Sequence, residues 1–341
     1  MYLNKVDKEK VKKGYQKQFL FFCLSLRKKN LSLPKPLMHG IFKLAFLTDP
    51  LIALGKDYII YRKPPSGELF GMGYNHSGNL GVGDFNDRLI DSTEISFPVD
   101  EKIKDIACGY DHSVLLTING TVWGSGRNQC GQLGQKNEKK NSSFIKLKIP
   151  NNEKISRIYC GEFKTFLIPE KKNYLYVCGS NMHCSLGMPN TKPFHYAVEE
   201  TDLSTLTKVS LPDSEEIMFV ASGWHHTLIL TLNGNVYVSG NNDRGQIGLG
   251  LNNLYCSVFT KIAIPDNKKI ISMSTGRAHS IFLTETGEVF GCGSSSRGQL
   301  SNTEDSDVPT ALTIPDNEKI IAVSCGDDHT LMLTDSNKVL G

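Results

Sequence analysis

Short apolar runs, parted by tight polar turns, recur along the chain with the alternation of strands rather than the period of helices. The stretch His112-Ser113-Val114-Leu115-Leu116-Thr117, then Ile118-Asn119-Gly120, then Thr121-Val122-Trp123 reads as strand, tight turn, strand. Asn-Gly tolerates the positive φ that hairpin turns demand, and Asn233-Gly234 and Thr286-Gly287 repeat the device. A further short strand is predicted before this hairpin, at 103–108. A fourth follows it and ends near a proline, as at 144–150, 258–265 and 311–315.

Three signatures recur in order and set the architecture. The first is small-Gly-x-x-His ahead of an apolar strand. It occurs as Cys108-Gly109-Tyr110-Asp111-His112, Ser222-Gly223-Trp224-His225-His226, Thr275-Gly276-Arg277-Ala278-His279 and Cys325-Gly326-Asp327-Asp328-His329. Two worn copies put Lys164 and Tyr58 in the histidine place, and the steps from Tyr58 to His329 are 54, 52, 62, 53 and 50 residues. The second signature is apolar-aromatic-x-x-Gly, as in Val122-Trp123 to Gly126 and Val236-Tyr237 to Gly240. The third is Gly-Gln-Leu-Gly or a near copy, at 78–81, 131–134, 185–187, 245–248 and 298–300.

Four antiparallel strands in a unit of about 50 residues is a β-propeller blade. The predicted fold is therefore all-β, a propeller of about six four-stranded blades at 51–98, 103–150, 155–212, 217–265 and 270–315, with a sixth begun at 320. That sixth stops in its third strand, while residues 41–46 have the pattern of a fourth. Two readings stand: the ring closes by joining its two ends, or a further blade is missing and the chain is truncated. On this division residues 36–341 form the propeller and residues 1–35 a basic arm, helical or disordered.

Composition changes the picture in three places. The 341 residues are 39% hydrophobic and 21% charged, enough apolar material for a large core and too much for disorder. The net charge of +3 conceals a local +8 over residues 1–50, so the body is mildly acidic and gives no electrostatic reason to bind nucleic acid. The apolar run at 19–26 is far shorter than the ~20 residues of a bilayer span, so no membrane contact is expected. Nine cysteines, an odd number without a Cys-x-x-Cys pair, point to a reduced intracellular compartment, cytoplasmic or nuclear.

The repeated histidines invite a metal reading, but one per blade cannot gather on one ion. His112, His226, His279 and His329, with Gly109, Gly223, Gly276 and Gly326, are read as structural, each histidine tying a blade turn by hydrogen bonds. Cys108, Cys160 and Cys325 share a repeat position with serine and threonine, as small core residues do. No nucleophile–base–acid set is visible, and no catalytic residue, metal or cofactor is expected.

Gly-x-Asp-His-x-x-x-Leu-Thr, aromatic-Gly-x-Gly and Gly-Gln-Leu-Gly together resemble the regulator-of-chromosome-condensation (RCC) repeat family over residues 51–341. The resemblance implies a propeller normally of seven blades, and a protein that works by binding. The founding member is a guanine-nucleotide exchange factor for the small GTPase Ran that also docks on chromatin. Others are ubiquitin ligases, adapters, ciliary scaffolds and a photoreceptor with a tryptophan cluster, for which Trp123 and Trp224 alone are too few.

Carried over by motif position, the partner-facing candidates are Asp57, Asp111, His225 and Asp328. Acids presented on one face would attract a basic partner. Phe194 and Tyr196, on the long insertion of the 62-residue step, are candidates for a partner contact. The expected function is a protein-interaction propeller, monomeric, regulating a Ran-like GTPase by nucleotide exchange, with possible chromatin contact through the basic arm. The alternative is a non-catalytic scaffold recruiting proteins of ubiquitin, chromatin or cytoskeletal pathways.

Overall fold

The computed structural model describes residues 51–341 apart from 64–66, 98–100, 137–138, 190–201, 253 and 302–303. The strand pattern at 41–46, the basic arm, Phe194 and Tyr196 lie outside the described residues. The fold is all-β and arranged as a propeller, with five four-stranded sheets and a three-stranded one among the described residues. In blade two, Ile103–Cys108, His112–Thr117, Val122–Arg127 and Lys140–Lys146 pair antiparallel in chain order. Blade six shows Ile320–Gly326, His329–Thr334 and the short Val339–Leu340.

The second strand of blades two to five is buried along its whole length, because both of its faces meet protein. Successive side chains point to opposite faces, so one strand feeds two cores. Val114 and Leu116 pack with Ile158, Leu167 and Tyr176 of blade three, whereas Leu115 packs with Tyr58, Ile60 and Leu80 of blade one. Five such apolar clusters form, each shared by two successive blades. Fully burying one such aliphatic side chain is worth about 1.5–3 kcal/mol, so most of the stability resides between blades. The fourth strand, at the outer edge, is mostly exposed or half-buried instead.

The loops close the seams between blades. The Gly-Gln-Leu-Gly loop leaves the third strand and lies on the fourth strand of the next blade. Gly131 sits there at φ 79°, and a Cβ on it would come 2.4 Å from Ser204 Cα. Gly131→Ala is therefore expected to cost about 1–3 kcal/mol, read as a lower midpoint in thermal melts. At the opposite end, the turns Pro150–Asn152, Pro265–Asn267 and Pro315–Asn317 lead each blade into the next. Asn151, Asp266 and Asp316 adopt the left-handed conformation there, at φ of 55–57°, which Asn and Asp accept more readily than other side chains.

Candidate partner-binding face

The histidine position bonds across the seam and not within its own turn. His112 Nε2 lies 3.1 Å from Thr165 Oγ1 of blade three, while that hydroxyl donates to the Gln132 carbonyl of blade two at 2.6 Å. His226 and His279 repeat this with Ser280 and Thr330, both at 3.0 Å. Since the hydroxyls of Thr165 and Ser280 give their protons to loop carbonyls, Nε2 of His112 and His226 is the donor. Burial holds the pKa of His112 and His279 down to about 4 and that of His226 to about 3. Glycine is required beside the ring, because a Cβ on Gly109 would come 2.1 Å from His112 Cε1.

The two worn copies do the same work by other means. The Tyr58 hydroxyl donates to the His112 carbonyl at 2.5 Å and sits 2.9 Å from Ser113 Oγ. Lys164, only 1% exposed, donates to Trp224 O at 2.9 Å, Gly223 O at 3.1 Å and Ser222 Oγ at 3.3 Å. Three acceptors match the three protons of an ammonium. Burial lowers the lysine pKa to about 7, with the Glu162 carboxylate pulling it the other way. The same burial raises Glu162 to about 7, against the influence of Lys164.

These bonds fix the first-to-second-strand turns, which share a face with the third-to-fourth-strand loops. The residue before the histidine position is also held by its backbone. The carbonyls of Asp57, Asp111, Phe163, His225 and Ala278 each accept from the N–H that follows the third-strand glycine. Side chains on the turns are consequently presented from a rigid frame.

Two aromatic–cation groups occupy this face. Lys56 Nζ lies 4.1 Å from the Tyr110 ring centre, Tyr110 meets Phe163 at 5.3 Å, and Arg127 lies 5.4 Å from the Phe163 centre. The Arg277 guanidinium is 4.0 Å from the Trp224 centre, and His225 lies 5.1 Å from His183. Burial, then Lys164 and His183, lower the His225 pKa to about 4. Trp123 packs edge-on against Phe97 under the surface, leaving Trp224 as the tryptophan of the face.

The acids do not stand free. Asp111, with a side chain 13% exposed, lies 3.6 Å from Arg127 Nη1 and 3.9 Å from His76 Nε2. Asp328 lies 3.1 Å from Arg297 Nη1 of the preceding blade. Asp57 is half-buried, and Asp327 beside Asp328 is exposed. Sequence reasoning singled out the acids and His225 but passed over Tyr110, Phe163, Trp224 and Arg277, although all four occupy the same x-x positions of the motif. Among the described residues, no group of three or more His, Cys, Asp or Glu is placed to hold a metal ion. No helix among them is long and apolar enough to cross a membrane.

A family model described as an RCC1-like domain matches residues 52–332. The chain is 30% identical over 241 residues to the ultraviolet-B receptor UVR8 of Arabidopsis thaliana, covering 71% of this chain and 52% of the receptor. It is 28% identical over 240 residues to the secretion-regulating guanine nucleotide exchange factor of Bos taurus, covering 70% and 50%. The chain thus spans about half the length of these curated relatives. Among solved structures, Prp20p of Saccharomyces cerevisiae, studied with its binding to Gsp1p and histones, superposes with a TM-score of 0.62 at 20% identity, over 84% of this chain and 83% of that one. That likeness is one of fold.

Proposed function

We propose, from the premise that this chain belongs to the RCC1-like domain family, that it is a protein-binding propeller which engages a small GTPase of the Ran type and accelerates release of its nucleotide. The observation that carries the reading is the concentration of unlike side chains on one rigid face, while the seam residues beneath it stay nearly constant. The exchange-factor relative and the Gsp1p-binding structural neighbour support it. Exchange needs no general acid or base. A factor that binds the empty GTPase more tightly than the loaded one weakens, by reciprocity, the hold on nucleotide. Asp57, Asp111, His225 and Asp328 are the proposed contacts, together with the Trp224–Arg277 pair.

Release of fluorescent GDP from Ran, with this chain in catalytic amount, tests the reading. Acceleration is expected, and Asp111→Ala with Asp328→Ala is expected to abolish it while circular dichroism stays unchanged. Acceleration that survives both changes removes those acids from the mechanism. No acceleration by the folded protein favours the scaffold, the reading that the ion-paired state of Asp111 and Asp328 also supports.

A further inference from the structure

Each of blades one to five places one residue immediately before the fourth-strand residue that pairs with the third-strand glycine. In blades one, three and five it is Asp87, Asp202 and Asp305. Each of these carboxylates accepts a loop N–H, from Asn75 at 2.6 Å, Asn181 at 3.3 Å and Ser295 at 2.7 Å. In blade two the position is Lys140, and the loop N–H of Asn128 goes to the Lys139 carbonyl instead, at 2.8 Å. The internal duty of the acid is met by backbone, and the charge at the position is reversed. Lys140 Nζ lies 4.1 Å from the centre of the Phe85 ring in blade one.

Opposite Lys140 stands Arg127, where blades one, three, four and five carry Tyr74, Ser180, Asn241 and Ser294. Its nearest approach to Asp111, 3.6 Å, is too long for a hydrogen bond, and its Nε is buried without a partner. Between them runs a groove of about 380 Å³, lined by His76, Asp111, Arg127, Gln129, Lys139 and Lys140. Among the described residues that line it, three permanent cations face one carboxylate. Two nearby described acids are engaged elsewhere, Asp84 with Arg88 at 2.7 Å and Asp87 with the Asn75 N–H.

We propose that this groove between blades one and two is a docking subsite for an acidic peptide segment of a partner protein. The planar guanidinium of Arg127 suits a carboxylate taken by two parallel N–H bonds, and Lys139 and Lys140 suit the carboxylates that follow it. The subsite does not depend on the partner being a GTPase.

The test is fluorescence anisotropy of a fluorescein-labelled oligoglutamate peptide with the full chain. Salt-sensitive binding is expected. Lys140→Asp restores the residue of three sister blades, so it should fold with an unchanged melt, yet weaken binding about tenfold, as should Arg127→Gln. Lys171→Glu, exposed on the opposite face, changes the net charge equally with Lys140→Asp and should change affinity less than about twofold. The basic arm is common to all variants, so a loss produced by Lys140→Asp and Arg127→Gln but not by Lys171→Glu belongs to the groove. Equal losses from Lys140→Asp and Lys171→Glu, or no binding by the folded chain, would overturn the proposal. Displacement of the peptide by inorganic pyrophosphate at lower concentration than by unlabelled oligoglutamate would overturn it too, in favour of a phosphate site.

Discussion

Acidification from pH 7 to pH 4 is expected to destabilise this propeller strongly, chiefly through its buried histidines. His112, His226 and His279 are buried and neutral, with folded pKa values of about 4, 3 and 4. The unfolded chain takes up these protons near pH 6.5, whereas the fold resists them. The histidine contribution is therefore complete above about 6.5 and is lost progressively as pH falls toward 4. A shift of this size, fully expressed, is on the order of 3 kcal/mol per histidine, a large part of the 5–15 kcal/mol typical of a domain.

His225, held down to about 4, acts in the same direction. Glu162 and Asp105 oppose it, since burial raises them to about 7 and about 6 and the fold takes up their protons first. Glu318, kept at about 2 chiefly by its bond from Lys338, contributes at lower pH. Thermal melts at steps of pH, for the wild type and His226→Asn, decide the matter. The variant should be less stable at pH 7 but lose less between pH 6.5 and 4. An unchanged slope would assign the acid sensitivity elsewhere.

Lys164→Met is expected to be the most damaging single exchange at the face. It leaves Gly223 O, Trp224 O and Ser222 Oγ without their donor in a site closed to water. Buried polar groups left unsatisfied cost about 1–3 kcal/mol each, so a loss of about 3 kcal/mol or more is expected in denaturant unfolding. The Trp224–His225 turn would also lose its anchor. Lys164→His restores the majority residue opposite Thr227, the hydroxyl at the sister position, and should recover most of the loss. If His and Met cost the same, the lysine ammonium has a role in this blade that the common seam bond cannot fill.

The all-β propeller is legible in the sequence because its signatures recur in register, and copies of one motif must occupy equivalent places. The seam bonds are harder to see. The residue after each histidine position is a hydroxyl in Ser113, Thr165, Thr227, Ser280 and Thr330, and for all but Thr227 the ring that meets it lies on another copy, 51–55 residues away. The loop asparagines Asn75, Asn128, Asn181 and Asn242 likewise sit at one repeat position. Each accepts a backbone N–H five residues on, and they carry no charge or sulfur to draw attention. Asp111 and Asp328 could be placed on the face from sequence, whereas their pairing with Arg127 and Arg297 depends on how loops fold over the turns.

The bond from Tyr58, His112, His226 or His279 to a hydroxyl of the following blade makes the seam, and not the blade, the unit that must be kept intact. A blade transplanted from one position to another would keep its own sheet yet arrive with a ring or a hydroxyl that has to suit two new neighbours. Blades four and five could trade places with little conflict, since each offers a histidine forward and a hydroxyl backward. Blade three could not, because its lysine is fitted to the carbonyls of the turn ahead of it. Drift among duplicated units is thereby channelled to those turn and loop side chains that make no seam bond, where new partners can be met.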